Sequence, residues 1–368
     1  MSHQKFVWAL NRLSGFGVQK FKELHRRIPH LQQWEEAELS GVLQNFIGRD
    51  AFIELNRILS SSDFEHEIDE CQSRQIQLLT ILDPDYPKNL FSIYDPPLVL
   101  YVKGNLISAD EFAVAVVGSR RPSLYGLRMA DRFSRELAER GITIVSGFAC
   151  GIDGEAHKAA LRVKGRTLAV LGCGVDVLYP KEHGKLYDEI AEAGALISEF
   201  PLGTVPQSFH FPKRNRIISG LALGVLVIEA GQRSGSLITA SIAAEEGREV
   251  YAVPGPLDSF TSQGTNHLIQ SGAKLVTTAE DIFMDLKDQM KAILNCSVSI
   301  QKAAPPTDEV NPLLKLLSKQ PLSFDEIMVA LGENRKGIYS QLIELELKGK
   351  IKRVFGGKFS RTQELAIT

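Results

Sequence analysis

Through the middle of the chain, short apolar runs alternate with longer amphipathic stretches. The apolar runs have the length of β-strands, and we predict strands at 112–117, 142–145, 167–171, 195–198, 224–228, 249–253 and 274–276. Stretches between them carry apolar residues at helical spacing, for example 128–140, 154–163 and 237–246. This alternation predicts a doubly wound α/β domain with a mostly parallel sheet.

The N-terminal part has a different pattern. Residues 1–80 carry apolar positions at helical spacing, and four prolines between 84 and 97 indicate an extended connection into the central region. Gly15 and Gly17 lie in a tight turn between the first two predicted helices. This turn suits a helix-hairpin-helix, whose turn amides can meet a phosphate, and it suits a plain helical hairpin equally well.

The C-terminal part is predicted to be a winged helix. Helical spacing recurs at 312–317, 324–331 and 338–347, and short β-like pieces follow at 351–354 and 358–359. Its basic residues fit both duplex DNA contact and simple solubility; they are Arg335, Lys336, Lys348, Lys350, Lys352 and Arg353. The predicted domains are a helical domain at 1–80, an α/β domain at 81–288, a linker at 289–308 and the winged helix at 309–368.

The composition is that of an ordinary globular protein, with 44% hydrophobic residues and a formal net charge of -2. Nucleic-acid affinity would therefore need a local basic patch. The scattered cysteines predict buried thiols in a reducing compartment and no metal site; they are Cys71, Cys150, Cys173 and Cys296. Because no apolar run approaches the roughly 20 residues that span a bilayer, we expect a cytoplasmic protein without a membrane partner.

Cationic side chains cluster where strands are predicted to end, which is where open parallel sheets bind ligands. Lys213, Arg214, Arg216 and Arg233 flank the buried run 225–228. After the first predicted strand comes Gly118-Ser119-Arg120-Arg121, in which Arg120 stands where a dinucleotide fingerprint needs its second glycine. A Gly-Ser turn beside an arginine suits a single phosphate, although Arg120 could also be merely solvated.

The loop after the second predicted strand, 146–154, holds three glycines, which indicates tightly folded backbone. Asp153 is interpreted as the N-cap of the helix that carries His157 and Lys158. His157 has no nucleophile or second histidine near it in sequence, so we do not expect it to be catalytic.

Two further strand ends carry glutamates, Glu199 and Glu229. They could form an acid/base pair, or they could neutralise and orient Arg214 or Arg216. Orientation is favoured, because the sequence offers no nucleophile or metal set nearby, and the chain has no P-loop, G-x-S-x-G or H-E-x-x-H motif.

Taken together, the central segments resemble the DNA-processing protein A family, also called Smf. The matching segments run in order from residue 116 to residue 276 and are VVGSRRPSLYG, SGFACGIDGEAHKAAL, LAVLGCGVDVLYPKEH, SEFPLGTVP, FPKRNRIISGLALGVLVIEAGQRSGSLITA and VPGPLDSFTSQGTNHLIQSGAKLV. The resemblance implies an extended Rossmann-like domain between a helix-hairpin-helix or sterile-alpha-motif-like domain and a winged helix. It also implies a homodimer that binds single-stranded DNA, protects incoming DNA and loads RecA in natural transformation and recombination, without covalent chemistry or a cofactor.

The resemblance also carries a phosphate pocket over to Gly118, Ser119 and Arg120, with Lys213, Arg214 and Arg216. Phe148 is expected to be exposed by its loop position and could stack on a base. The candidate DNA- or phosphate-binding residues are Gly118, Ser119, Arg120, Arg121, Phe148, Lys158, Lys213, Arg214, Arg216 and Arg233. Leu268 and Ile269 lie in the segment that matches the family's self-association region, so they are candidates for the dimer interface or, equally, for the core.

Two other functions remain as alternatives. Phosphoribohydrolases that cleave a base from a nucleoside monophosphate have a similar fold and carry P-G-G-x-G-T-x-x-E after a comparable strand. Here the stretch from Glu229 to Ala240 has neither the glycine pair nor the later glutamate, which removes the group that would stabilise the departing ribosyl cation. In the other alternative, a protein-interaction adaptor, the winged helix contacts a partner and the basic loops only hold the fold.

Overall fold

The computed structural model describes residues 2–27, 37–297, 312–317, 320–323, 326–327, 330, 342, 345, 350–354 and 358–361. The chain forms two compact units. One comprises 1–3, 12–57 and 287–368, and the other comprises 4–11 and 58–286. Among the residues just given, none of the helices is both long and apolar enough to cross a membrane.

The larger unit is built on a nine-stranded sheet of order β1-β2-β6-β5-β4-β3-β7-β8-β9. Strands β3 to β9 pair in parallel, and the β1–β2 and β2–β6 pairs are antiparallel. The strands are β1 (Ile76–Thr80), β2 (Val99–Gly104), β3 (Ala113–Val117), β4 (Thr143–Ser146), β5 (Thr167–Val170), β6 (Ala195–Ser198), β7 (Gly224–Val227), β8 (Glu249–Ala252) and β9 (Lys274–Leu275).

The predicted α/β fold with a mostly parallel sheet is confirmed, and the seven predicted strands match β3 to β9 to within one residue. Strands β1 and β2 were not predicted. Residues 76–80 follow a helical stretch and β2 follows a proline-rich segment, so neither lies in the strand–helix alternation by which the parallel strands are recognised. Residues 99–102 are nevertheless buried.

Helices flank the sheet. Helix α7 follows the first parallel strand and begins at the N-cap Ser123, whose hydroxyl accepts a hydrogen bond from the Gly126 amide at 3.1 Å. The helices of this region are α6 (Lys88–Phe91), α7 (Leu124–Glu139), α8 (Ile152–Arg162), α9 (Gly184–Ala193), α10 (His210–Leu221), α11 (Gly235–Glu245), α12 (Gln263–Gln270) and α13 (Ala279–Ser297).

The strand order creates a topological switch point. From β3 the chain first adds β4, β5 and β6 on one side, and it then returns to add β7, β8 and β9 on the other. The loops that leave β3 and β7 therefore diverge, which opens a crevice beyond the carboxyl ends of these two strands. Val117 pairs with Val227 at that edge, so the residues that follow them form the crevice.

The N-terminal segment is helical, as predicted, with α1 (His3–Arg12), α2 (Val18–Arg27), α3 (Ala37–Ile47), α4 (Arg49–Ser60) and α5 (Asp63–Ser73). Most of α1 belongs to the same compact unit as the sheet, and Trp8 packs edge-on against Phe64 with 5.3 Å between ring centroids. Gly15, in the turn after α1, has a φ of 69°, which a glycine adopts without strain.

The C-terminal segment contains α14 (Pro312–Leu317) and an antiparallel hairpin of β10 (Ile351–Val354) and β11 (Lys358–Arg361). Leu322 pairs with Phe359 and joins a buried apolar cluster that includes Leu313 and Ile327. Most of the predicted helices at 324–331 and 338–347 and most of the linker lie outside the described residues, as do Arg335, Lys336 and Lys348. The domain limits remain a prediction.

Candidate functional site

A cavity of about 850 Å³ occupies the crevice at the switch point. Its walls come from the β3–α7 loop, the start of α10, the N-terminus of α11 and the β8–α12 loop. Among the described residues, the charged groups that line it are four arginines and one carboxylate, Asp153. Six of the ten candidate binding residues line this cavity: Gly118, Ser119, Arg120, Arg121, Arg214 and Arg233.

The β3–α7 loop is fixed by backbone hydrogen bonds. The Ser119 amide donates to the Glu229 carbonyl at 2.8 Å, and the Ile152 amide donates to the Ser119 carbonyl at 3.1 Å. Gly118 has to be a glycine here, because a Cβ would lie 2.7 Å from the Ile152 side chain. Arg120 is exposed, with its guanidinium 5.1 Å from the centroid of the Phe211 ring, so it can meet an anion from solvent.

The Glu229 carboxylate occupies the N-terminus of α7. It accepts hydrogen bonds from the Ser123 amide at 2.8 Å, from the Ser123 hydroxyl at 2.7 Å and from the Thr261 hydroxyl at 2.7 Å. A dinucleotide-binding fold places its pyrophosphate at the N-terminus of this first helix. Here the carboxylate of Glu229 occupies that position. A phosphate of a ligand could therefore contact the arginines and the N-terminus of α11, but not the N-terminus of α7.

Arg214 lies at the buried floor of the cavity and is only 4% exposed. Its Nη1 donates hydrogen bonds to the Gly147 carbonyl at 2.5 Å and to the Val170 carbonyl. Burial lowers the pKa of Arg214 to about 10 and raises the pKa of Asp153, while the attraction between the two charges opposes both shifts. Arg214 is therefore a structural cation with one face toward the cavity.

Two of the candidate binding residues, Lys213 and Arg216, form ion pairs with the buried carboxylate of Glu199 and do not face the cavity. Arg216 pairs with Glu199 at 2.8 Å and with Asp95 at 2.9 Å, and Lys213 pairs with Glu199 at 3.1 Å. Neither cation lines the cavity. Glu199 therefore orients an arginine, as predicted. Glu229 does not, because its carboxylate accepts hydrogen bonds from two hydroxyl groups and one backbone amide.

Phe148 is not exposed, and that expectation was wrong. Its side chain is 1% exposed and contacts the rings of His183 and Tyr187, with 5.1 Å and 6.3 Å between centroids. The backbone takes a positive φ of 59° at Phe148, which points the side chain inward although the loop itself lies at the sheet edge. A buried phenylalanine cannot stack on a base.

The start of α8 also differs from the expectation. The N-cap is Gly151, with a φ of 84°, and Asp153 lies within the first turn. Lys158 is exposed on α8 but does not line the cavity. His157 is fully buried against Thr167, with 2.6 Å between Nδ1 and the hydroxyl oxygen.

The cysteines differ in their burial. Cys71 and Cys173 are buried, as predicted, and burial raises the pKa of the Cys173 thiol to about 11. Cys150 is exposed, so the prediction of a buried thiol is wrong at this position. Among the described residues there is no group of three His, Cys, Asp or Glu side chains that could hold a metal ion.

Several lining residues were not predicted from the sequence. Phe211, Tyr179 and Phe260 add aromatic surface, and Ser234 caps α11 within the cavity wall. The run Arg233-Ser234-Gly235-Ser236 carries an N-cap signal that could have revealed a second helix N-terminus. Tyr179 lies in a loop, Phe211 is in the first turn of α10, and Phe260 begins a short 3-10 turn before α12. At such positions the sequence pattern indicates neither burial nor direction.

The two dimer candidates lie on α12. Leu268 and Ile269 are both half-buried, and the neighbouring β9 is an edge strand whose Leu275 is 46% exposed. Their role in self-association remains a prediction.

A switch-point cavity lined with arginines, on a sheet whose first helix N-terminus holds the Glu229 carboxylate, defines a Rossmann-like protein with a candidate anion-binding site. Residues 77–287 match the family described as DNA recombination-mediator protein A, and residues 299–357 match the DprA winged helix domain. Because the first match covers more than half of the chain, the protein belongs to the DNA recombination-mediator protein A family.

Individual relatives agree with this assignment. The chain is 44% identical to protein Smf of Escherichia coli over 74% of each chain, and 32% identical to protein Smf of a Synechocystis strain over 98% of this chain and 99% of the relative. The structure of DNA processing protein A from Streptococcus pneumoniae is similar with a TM-score of 0.67, at 40% identity over 77% of this chain and 98% of that one.

A second solved relative is DNA processing protein A from Helicobacter pylori, whose structure is described for its single-stranded DNA binding mode. It is 31% identical with a TM-score of 0.53 and covers 58% of this chain and 97% of its own.

Proposed function

We propose that this protein binds single-stranded DNA through the switch-point cavity. The observation that carries the proposal is the set of four arginines against one carboxylate in a cavity of about 850 Å³. Arg120, Arg121 and Arg233 are exposed and can each neutralise a backbone phosphate. The relative from Helicobacter pylori, whose structure is described for its single-stranded DNA binding mode, supports the choice of anion.

The walls of the cavity favour a single strand over a duplex. Phe211, Tyr179 and Phe260 line it together with the arginines. Proteins that bind single strands combine a cationic path for phosphates with flat side chains for unpaired bases. A base in a duplex is stacked between its neighbours and cannot use such a surface.

The further biological role rests on the family. A recombination mediator that holds a single strand would protect incoming DNA and load RecA onto it in natural transformation and recombination. These steps belong to the cytoplasm and need no covalent chemistry, catalytic residue or cofactor. The winged helix, with its exposed Lys352, would add contact with duplex DNA.

The phosphoribohydrolase alternative is weaker. The glutamate that ends β7, Glu229, is 2% exposed, and its carboxylate accepts three hydrogen bonds. Such a carboxylate holds loops together and is not placed to stabilise a ribosyl cation in the cavity. Release of free base from a nucleoside monophosphate by the purified protein would revive this alternative.

The binding proposal is tested by fluorescence anisotropy with labelled oligo-dT and a duplex of equal length. We expect the wild type to prefer the single strand, and Arg120→Ala and Arg233→Ala each to weaken binding severalfold. Lys185→Ala is the matched control, because Lys185 is a 91% exposed cation outside the cavity. If the arginine variants retain oligo-dT as well as the wild type does, the adaptor alternative is favoured instead.

We also propose that α12 and the β9 edge form a homodimer interface. Leu268 and Ile269 present partly exposed apolar surface beside Leu275. A Leu268→Glu, Ile269→Glu variant should sediment as a monomer where the wild type sediments as a dimer, because charges are disfavoured in the core of such an interface. Ile53→Glu, at a 58% exposed position on α4, should leave the dimer intact.

A further inference from the structure

Phe260 is an exposed aromatic residue in the wall of the cavity. It begins a short 3-10 turn (Phe260–Ser262) between β8 and α12, and its side chain is 69% exposed. It lines the same cavity as Arg233 and the 44% exposed Ile238. We propose that Phe260, with Ile238, is the platform on which one nucleobase of the bound strand stacks. This inference rests on the proposed binding of single-stranded DNA.

The loop that carries Phe260 is held rigidly. Next to it, the Thr261 carbonyl accepts a hydrogen bond from the Ala230 amide at 2.7 Å, and the Thr261 hydroxyl donates to Glu229 at 2.7 Å. At the other end of the loop the Tyr125 hydroxyl donates to the Pro254 carbonyl at 2.9 Å. A platform that is ordered before binding loses little conformational entropy when a ligand arrives.

One side of the Phe260 ring lies against the protein. A Cβ on Gly231 would be 2.9 Å from the ring, so the ring rests on bare backbone at the end of β7. This seat fixes the ring position while most of its surface stays in solvent. An exposed aromatic ring on a segment that is held by hydrogen bonds at both ends indicates a binding role.

The occupant follows from what shares the cavity. The arginines attract a backbone phosphate, and in a single strand each phosphate is linked through a deoxyribose to an unpaired base. Every base has a π face, so stacking on Phe260 would be tolerant of sequence, with an effect on the dissociation constant of about tenfold. A second copy of the chain is the competing occupant.

The test measures binding of full-length wild type, Phe260→Ala and Phe260→Tyr to oligo-dT and to an abasic oligonucleotide with the same phosphates. Phe260→Ala should weaken oligo-dT binding about tenfold and leave abasic binding unchanged, and Phe260→Tyr should bind as the wild type does. Tyr94→Ala is the control, because Tyr94 is 65% exposed and lies outside the cavity lining.

Three results would overturn the platform. These are unchanged oligo-dT binding by Phe260→Ala, an equal loss on the abasic strand, and conversion of a dimer into a monomer by sedimentation, which would assign Phe260 to a contact between copies. Failure of the wild type to bind oligo-dT at low salt would instead overturn the proposed function itself, so the two failures are distinguishable.

Discussion

At the residue scale, the candidate cations have different roles although the sequence shows them as one cluster. Arg120, Arg121 and Arg233 face the cavity from exposed positions, whereas Arg214 is buried. Arg216 is held by Asp95, which is 121 residues away in sequence. Residue type and spacing identify the group, but partners so distant in sequence decide which members are available to a ligand.

The burial of Arg214 predicts a loss of stability on mutation. Arg214→Ala removes charged donors from the Gly147 and Val170 carbonyls and leaves the carboxyl group of Asp153 buried without its counter-charge. We expect the free energy of unfolding in urea to fall by about 2–4 kcal/mol. Arg120→Ala should stay within about 0.5 kcal/mol of the wild type. Equal unfolding midpoints for the two variants would contradict the structural role of Arg214.

His157 predicts a dependence of stability on pH. Burial lowers its pKa from 6.5 to about 3, so between these values the unfolded chain binds a proton that the folded chain does not. The stability is complete above pH 6.5 and should fall as the pH drops, by up to about 1.4 kcal/mol per pH unit. Urea unfolding at pH 7.5 and 5.5 tests this.

The matched variants for this pH effect are His157→Asn and His66→Asn. His157→Asn should show a smaller loss between the two pH values, whereas His66→Asn, at an exposed position on α5, should follow the wild type. An unchanged slope in His157→Asn would show that other groups cause the effect.

At the scale of elements, the sequence predicts the helices and strands whose apolar residues recur at a regular spacing. It does not predict the direction of side chains in the loops between them. The runs that became β3 to β7 are fully buried, and they are recognisable because strands buried on both faces are mostly apolar. The last two strands, β8 and β9, are partly exposed and were recognised from the alternation with helices. Phe148 was misplaced because a single positive φ reverses its direction. The roles of Glu229 could not be predicted, since its partners lie on two other loops.

The packing of loop against loop predicts an effect of Gly151 on binding. A Cβ at Gly151 would collide with the Ser119 carbonyl oxygen and lie 2.8 Å from the Arg120 backbone. Gly151→Ala should therefore displace the Ser119–Arg120 segment and weaken oligo-dT binding. Gly141→Ala controls for backbone strain, because Gly141 has a φ of 78° but no atom within 4 Å of its Cβ position. Equal oligo-dT affinities for the two variants would contradict the proposed contact.

At the scale of the whole molecule, function depends on where the topology gathers charge. The chain as a whole carries a formal net charge of -2, so its bulk electrostatics do not attract DNA. The strand order brings the ends of β3 and β7 together and concentrates four arginines in one cavity. The fold class and the sheet edge could be predicted from the alternating pattern. The walls of the cavity could not, because they are formed by loops that lie 30 to 140 residues apart in the sequence.

The most direct test of the central claim is the salt dependence of oligo-dT binding. Each neutralised phosphate contributes about -0.7 to the slope of log K against log salt for a single strand. Three or four cavity arginines predict a wild-type slope of about -2 to -3, and Arg120→Ala should make it shallower by about 0.7. Binding without salt dependence, or a slope that Arg120→Ala leaves unchanged, would contradict phosphate recognition in the cavity.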